Sequence, residues 1–289
     1  MKKMNTYLEY VEALEQLVKA GKEIVPGRAP ACKKTAISCD APNVLLFSPH
    51  PDDECITGAL PLRLMRETGM KIINVPVTFG SNADRRPERA AELKNACGFL
   101  GWEIFQRTEE TDAASPSHFR MLTKADVIKL LKTIRPAALF MPHSKDWNSR
   151  HIDTHFLVRN ALTEMDVSFS CTVIETEFWG AMSDPNLMIE ADAELLADLV
   201  TAVSFHVREV ERNPFHLLLP AWMQDNVRRG SELVGGQGEA APDFSFATLY
   251  RLSRWENGTL LNRAEGNRIV SISDPLTDLF QGEGHGNYY

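Results

Sequence analysis

Two apolar runs in this chain end abruptly in charge, and that pairing restricts what the chain can fold into. "VLLF" (44 to 47) leads straight into "SPHPDDE", and "AALFMP" (137 to 142) leads into "HSKDWNSRHIDTH". Short apolar runs rich in branched and aromatic residues read as strands buried on both faces. Charge placed at their ends belongs to loops, where a packed scaffold can hold reactive side chains.

The segments between these runs carry the helical period. "RRPERAAELKNACGFLG" puts Ala90, Leu93, Cys97 and Leu100 on one face and stops at Gly101, and "KADVIKLLKTIRP" repeats the pattern through Val127, Leu130, Leu131 and Ile134 until Pro136 ends it. Further strands are expected at "KIINVPVTFG" (71 to 80), "WEIFQ" (102 to 106) and "CTVIETEFW" (171 to 179), with one helix between the first two strands. Helices are expected from about Ile152 to Met165 and around Leu195, Leu196, Leu199 and Val203. This alternation implies an α/β, Rossmann-like fold: a mostly parallel sheet with helices on both faces. Ligands of such sheets bind at the carboxyl ends of the strands, where both charged loops fall.

Residues 1–42 form an N-terminal extension in which Tyr7, Val11, Leu14 and Val18 share a helical face, predicting an amphipathic helix laid on the main body. Residues 43–289 read as a single α/β domain whose last part, 212–289, is less regular: "GGQGEAAP" is a loop, and "FATLYRLSRW" fits helix or strand. No apolar run approaches the ~18 residues of a membrane span. Glu9, Glu12 and Glu15 break any leader-like apolar stretch, so a cytoplasmic location is the default expectation. A net charge of −8 without a Lys/Arg stripe argues against nucleic acid as a partner. The five cysteines contain no Cys-x-x-Cys pair, which argues against both a disulfide framework and a thiolate zinc site.

The two charged loops supply His50, Asp52, Asp53, Glu54, His143, Asp146, His151, Asp153 and His155. Imidazole and carboxylate donors without thiolate suit zinc, iron(II) or another divalent first-row metal. His50 leaves a strand end and Asp53 begins the next helix, close enough to converge on one ion. Asp52 between them is placed to take a proton from water at that ion. His151 and His155, four apart, share a helical face, while Asp146 and Asp153 are candidates to orient them. Glu54 caps the helix or supports the ligands. A helix cap alone explains one or two of these acids, but not His50 or a second His/Asp cluster after another strand. Arg85, Arg86 and Arg89 suit an anionic or hydroxylated substrate, or else pair with Glu88 and Glu92. His118, His143, His216 and His285 are read mostly as surface or core residues, with His143 closest to the expected site.

"SPHPDDE", "ERAAELKNACGFLG" and "DWNSRHIDTH" resemble the signatures of the PIG-L/LmbE family of zinc-dependent N-deacetylases, from about residue 43 to 180. The resemblance implies hydrolysis of an acetamide on an N-acetylglucosaminyl or related N-acyl substrate, with His50 and Asp53 as zinc ligands and Asp52 as the general base. The family's second motif is usually His-Pro-Asp-His, its last histidine being the third ligand. "HIDTH" has one residue more, so either His151 or His155 can take that place. The resemblance favours His155, which directly precedes "FLVRNAL", and makes His151 the imidazole that stabilises the oxyanion or protonates the amine. His206 stands near a later family histidine, without the Ser and Gln that usually follow it. With Arg85, Arg89 and Asp146 it forms the expected substrate-binding set. The partner implied is a small molecule or glycoconjugate, with self-association left open. The alternatives are a metal-dependent sugar-binding protein without turnover, and a hydrolase of another amide or ester.

Overall fold

A computed structural model describes residues 7–29, 35–106, 119–262 and 266–280; Cys32, His118 and His285 lie outside them. The elements in chain order are α1 (Leu8–Lys22), β1 (Asn43–Ser48), α2 (Asp53–Ile56), α3 (Ala59–Thr68), β2 (Lys71–Pro76), α4 (Arg86–Leu100), β3 (Glu103–Ile104), α5 (Lys124–Ile134), β4 (Ala138–Pro142), α6 (Ser149–Leu162), β5 (Cys171–Thr176), β6 (Leu187–Ala191), α7 (Ala193–Ser204), α8 (Val207–Arg212), α9 (Leu219–Gly230), β7 (Phe246–Glu256), β8 (Thr259–Asn262) and β9 (Arg268–Val270).

Among the described residues the strands form one sheet in the order β3-β2-β1-β4-β5-β7-β6-β9, with β8 paired to β7. The first five strands are parallel. The period of two along each strand divides the core. Val44, Leu46, Ile72, Phe140 and Ile174 pack with α2, α3, α4 and α7, whereas Leu45, Phe47, Ile73, Leu139 and Val173 pack with α5 and α6. Burial on both faces explains why β1 and β4 read as unbroken apolar runs.

The five expected strands are present. The ambiguous segment 246–255 is the long strand β7, antiparallel to both β5 and β6. Two helices, α2 and α3, stand where one was expected between β1 and β2. The side chain of Tyr250 on β7 spans their junction, accepting from Leu60 N (3.1 Å) and donating to Thr57 O (3.0 Å). The N-terminal helix forms over Leu8–Lys22, but its apolar face is not laid on the body. No residue of α1 is buried, and Tyr7, Val11, Leu14 and Leu17 are exposed. Its tie to the body is made near its end, where Gly21 meets Leu217.

The strand order reverses between β1 and β4, because β2 and β3 lie to one side of β1 while β5 and the later strands follow β4. The loops leaving β1 and β4 therefore part and leave a crevice between them. Helix α5 packs on α6, which carries the histidines, and begins with a full capping box: Thr123 accepts from Asp126 N and the Asp126 carboxylate accepts from Thr123 N. Hydrogen bonds from Arg120 outweigh the effect of burial and, with those of Thr123, hold the Asp126 pKa far below the ordinary carboxylate value. Such a group stabilises the fold fully above its unfolded pKa, and the contribution disappears as pH falls through the depressed native value. Asp126→Ala is expected to lower stability by about 1 kcal/mol at pH 7. In urea titrations its difference from wild type should shrink below about pH 4. A difference independent of pH would exclude the carboxylate as its source.

Candidate metal centre

β1 delivers its chain into a turn whose geometry is unusual. Asp52 has φ 126° and ψ −36°, a region that non-glycine residues avoid. The turn is held from several sides: Arg89 Nη2 donates to Pro51 O (3.1 Å), Glu54 Oε2 accepts from Asp52 N (2.9 Å), and Thr78 Oγ1 donates to Pro49 O (2.8 Å). With this fixed, α2 starts at Asp53, and Asp53 Oδ2 folds back to accept from His50 N at 2.9 Å.

The loop after β4 comes from the other side of the crevice. Asn148 caps α6 by accepting from Arg150 N (3.0 Å), so the helix begins at Ser149 and both histidines lie inside it. They go to different places. His151 Nε2 lies 3.3 Å from Asp53 Oδ2 and its Nδ1 lies 3.3 Å from Asp146 Oδ2. One turn further along α6, His155 Nδ1 faces Pro142 O (3.0 Å) and Glu175 Oε1 (3.2 Å). The cluster gathered in the crevice is therefore His50, Asp53 and His151, each with a donor atom within 4.8 Å of the others, and His155 is not part of it.

Three observations make this cluster fit a divalent cation. His50 Nδ1 and His151 Nε2 each lie 3.3 Å from Asp53 Oδ2, close to the roughly 3.4 Å between neighbouring donors of a tetrahedral ion with ligands about 2.1 Å away. His151 Nε2 is buried with no hydrogen-bond partner. The donors are imidazole and carboxylate, a set that zinc accepts. The electrostatics agree. Burial disfavours the charged form of His151, but Asp53 and Asp146 on either side raise its pKa to about 10. Burial likewise opposes ionisation of Asp53, yet His151 and His50 hold its pKa well below the usual range. The site is built to compensate negative charge with positive charge.

Asp52 is the opposite case. Burial, reinforced by the adjacent charges of Asp53 and Glu54, pushes its pKa well above the ordinary value, while Arg89 acts against the rise. Two neighbouring carboxyls thus have pKa values driven in opposite directions.

The remaining candidates divide. Asp146 is tied to His151 and to Asn148 N (2.8 Å). It is brought there by a close approach that only glycine permits, since a Cβ at Gly180 would stand 2.8 Å from Asp146 Cα. Asp153 pairs with Arg150 and orients neither histidine. His143 is buried, with its Nε2 2.9 Å from Gly180 O. Arg85 is paired with Glu209 (3.0 Å) and Glu88 (3.5 Å), and Arg86 with Gly80 O (3.1 Å). His206 does not fit the expected substrate-binding role: it is fully buried, with Nε2 2.8 Å from Glu54 Oε1. Sequence reasoning missed Trp179, whose indole N–H donates to Asp53 Oδ1 (3.2 Å). It lies three residues past the end of β5, and no local motif marks it.

Residues 45–162, spanning both loops, match the family described as PIG-L: GlcNAc-PI de-N-acetylase. The matched domain is less than half of the chain. Among curated proteins none matches it. Three solved structures share the fold of this domain and its surroundings. N,N'-diacetylchitobiose deacetylase from Pyrococcus horikoshii is 17% identical, with TM-score 0.50, covering 87% of this chain and 94% of that one. The conserved protein TT1542 from Thermus thermophilus is 16% identical (TM-score 0.52; 72% and 93%). GalB, the 4-carboxy-2-hydroxymuconate hydratase from Pseudomonas putida, is 14% identical (TM-score 0.53; 73% and 95%). Set against a His-Pro-Asp-His pattern with His151 as its last histidine, the matched segment reads "NSRH", with Asn148 at the first position.

Strain at Asp52 makes a stability prediction independent of chemistry. Asp52→Ala and Asp52→Gly both remove the carboxyl, but only glycine relieves the positive φ. The glycine variant should be the more stable of the two by about 1–3 kcal/mol in chemical denaturation. Equal stabilities would mean that the turn does not keep this conformation in solution.

Proposed function

We propose that the protein is a metal-dependent N-deacetylase that hydrolyses the acetamide of an N-acetylglucosaminyl or related N-acyl substrate. The observation that carries this reading is the convergence of His50, Asp53 and His151 in the crevice between β1 and β4, with Asp52 beside them, inside the segment matched by the PIG-L family. The deacetylase from Pyrococcus horikoshii supports it as a relative in fold.

In this reading His50, Asp53 and His151 hold the cation, zinc or another divalent first-row metal such as iron(II). The chemistry supplied by a cation there is polarisation of the amide carbonyl and acidification of water. Asp146 on Nδ1 of His151 leaves Nε2 turned to the cation, the carboxylate–histidine arrangement found at many metal centres. Trp179 fixes the Asp53 carboxylate through its other oxygen. Asp52 takes the proton from the attacking water and, with a raised pKa, returns it to the departing amine. This double duty falls to Asp52 because both histidines of the cluster, His50 and His151, are taken up as ligands. His155, favoured as the ligand from sequence, becomes a support for the end of β4, and His151, assigned there to the oxyanion, becomes the ligand.

The test is acetate release from N-acetylglucosamine, its phosphates and its lipid, thiol-precursor and oligosaccharide conjugates. Turnover should be lost on chelation and restored by zinc or iron(II). Full activity of a metal-stripped sample would sink the proposal, as would the absence of acetate from every substrate. His151→Ala should abolish stoichiometric metal binding while His155→Asn retains it; the reverse result would restore the assignment favoured by sequence. Asp52→Asn should bind metal normally and lose about 10²–10⁴ in kcat.

A further inference from the structure

Glu54 and His206 form a buried pair outside the His50, Asp53 and His151 cluster. Both are fully inaccessible to solvent, and they come from positions 152 residues apart. His206 stands at the N-cap position of α8 just after α7, and α7 packs against α2. Its Nε2 donates to Glu54 Oε1 at 2.8 Å, while the other oxygen, Oε2, accepts the backbone N–H of Asp52 at 2.9 Å. Cys55 Sγ adds a weak contact to Oε1 at 3.2 Å. The carboxylate of Glu54 is thus a bridge from a remote imidazole to the one backbone N–H of a residue with φ 126°.

Positive φ at a non-glycine residue persists where surrounding contacts over-determine it. Here the contacts include a charge-assisted hydrogen bond inside a dry environment, where such a bond is strong and where a missing partner is most costly. Without His206, the Glu54 carboxylate would be buried with Cys55 and the Asp52 amide as its remaining partners, and its hold on that amide would loosen. The direction of the Asp52 side chain is set by this backbone.

We propose that His206, acting through Glu54, is a positioning residue that locks the Asp52 backbone in its left-handed turn and so aims the Asp52 carboxyl at the reacting water. The claim rests on the reading of Asp52 as the acid–base group. Its structural half, the locked amide, is measurable without turnover.

The experiment uses the full-length, metal-loaded protein and two variants, His206→Leu and His206→Gln. Glutamine supplies an N–H at about the position of Nε2, and leucine does not. For His206→Leu the expectation is a kcat about 10–100-fold lower at unchanged KM and unchanged metal stoichiometry, with His206→Gln recovering most of the loss. In hydrogen exchange, the Asp52 amide should exchange about tenfold faster or more in His206→Leu than in wild type, and near the wild-type rate in His206→Gln. A fall in kcat shared equally by both variants, or matched by loss of metal, would overturn the proposal in favour of a general packing role. So would unchanged kcat and unchanged exchange in His206→Leu. If wild type releases no acetate from any substrate, the deacetylase reading fails and exchange alone decides: unaltered protection of Asp52 in His206→Leu overturns the lock, and lost protection upholds it. Should His206→Leu fail to fold, His206→Gln against His206→Asn, whose shorter side chain withdraws the N–H, gives the same comparison.

Discussion

The carboxylate of Asp53 is the interaction around which the carboxyl edge of the sheet is organised. Oδ2 takes the backbone N–H of His50 and faces both imidazoles, and Oδ1 takes the indole N–H of Trp179. These partners arrive from β1, from α6 and from the segment after β5, so three connections of the fold meet on two oxygen atoms. A carboxylate buried in this way is stable only when positive charge accompanies it, because the desolvation of an uncompensated ion costs several kcal/mol. An imidazolium at His151 can compensate it, and so can a divalent cation. The pull of Asp53 and Asp146 on the His151 proton and the proposed affinity for a metal are therefore one electrostatic property seen with two different cations.

Much of this was legible in the chain. Strands β1, β2, β4 and β5 announce themselves because burial on both faces leaves a run with few alternatives, and the alternation with helices then fixes a parallel sheet with its reactive loops at one edge. From the β1 loop, His50, Asp52 and Asp53 could be assigned together, since five consecutive residues leave little freedom of arrangement. The β7 segment was ambiguous for a physical reason. Its strand is buried over most of its length, "FATLYRLSRW" mixes apolar and charged residues, and Arg251 survives there only through its pairing with Glu175 (2.5 Å) and Asp184 (2.5 Å). β6 and β9 gave no signal because each is short and gains its stability from the neighbouring strand. Likewise α1 has an amphipathic pattern, and a pattern states only that a face is apolar, not that anything covers it.

The choice between His151 and His155 shows where local spacing stops being informative. Residues four apart on a helix share a face, and either ring can reach an ion at its edge. What separates them is distant in sequence: Pro142 and Glu175 engage His155, and Asp53 and Asp146 engage His151. Asn148 carries the local signal that sequence reading passed over. As an N-cap it sets the first turn of α6, and counting three residues on from the cap reaches His151. Trp179 and the Glu54–His206 pair were illegible for the same reason, since a hydrogen bond across more than a hundred residues leaves no spacing to read.

A shared fold does not select a reaction. Structures of this architecture include one named as a deacetylase and one named as a hydratase. What distinguishes a site on such a scaffold is where its proton-transfer group is held relative to its Lewis-acid position. In this chain the backbone at Asp52 is strained: an ordinary φ would turn its carboxyl away from its present direction, while the φ of 126° keeps Asp52 and Asp53 adjacent in sequence yet opposite in electrostatic character. The strain is tolerated because the Asp52 amide, the Pro51 carbonyl and the Pro49 carbonyl are each held by a different part of the molecule. Under the proposed reading, the forced turn lets Asp53 hold the cation while Asp52 exchanges a proton.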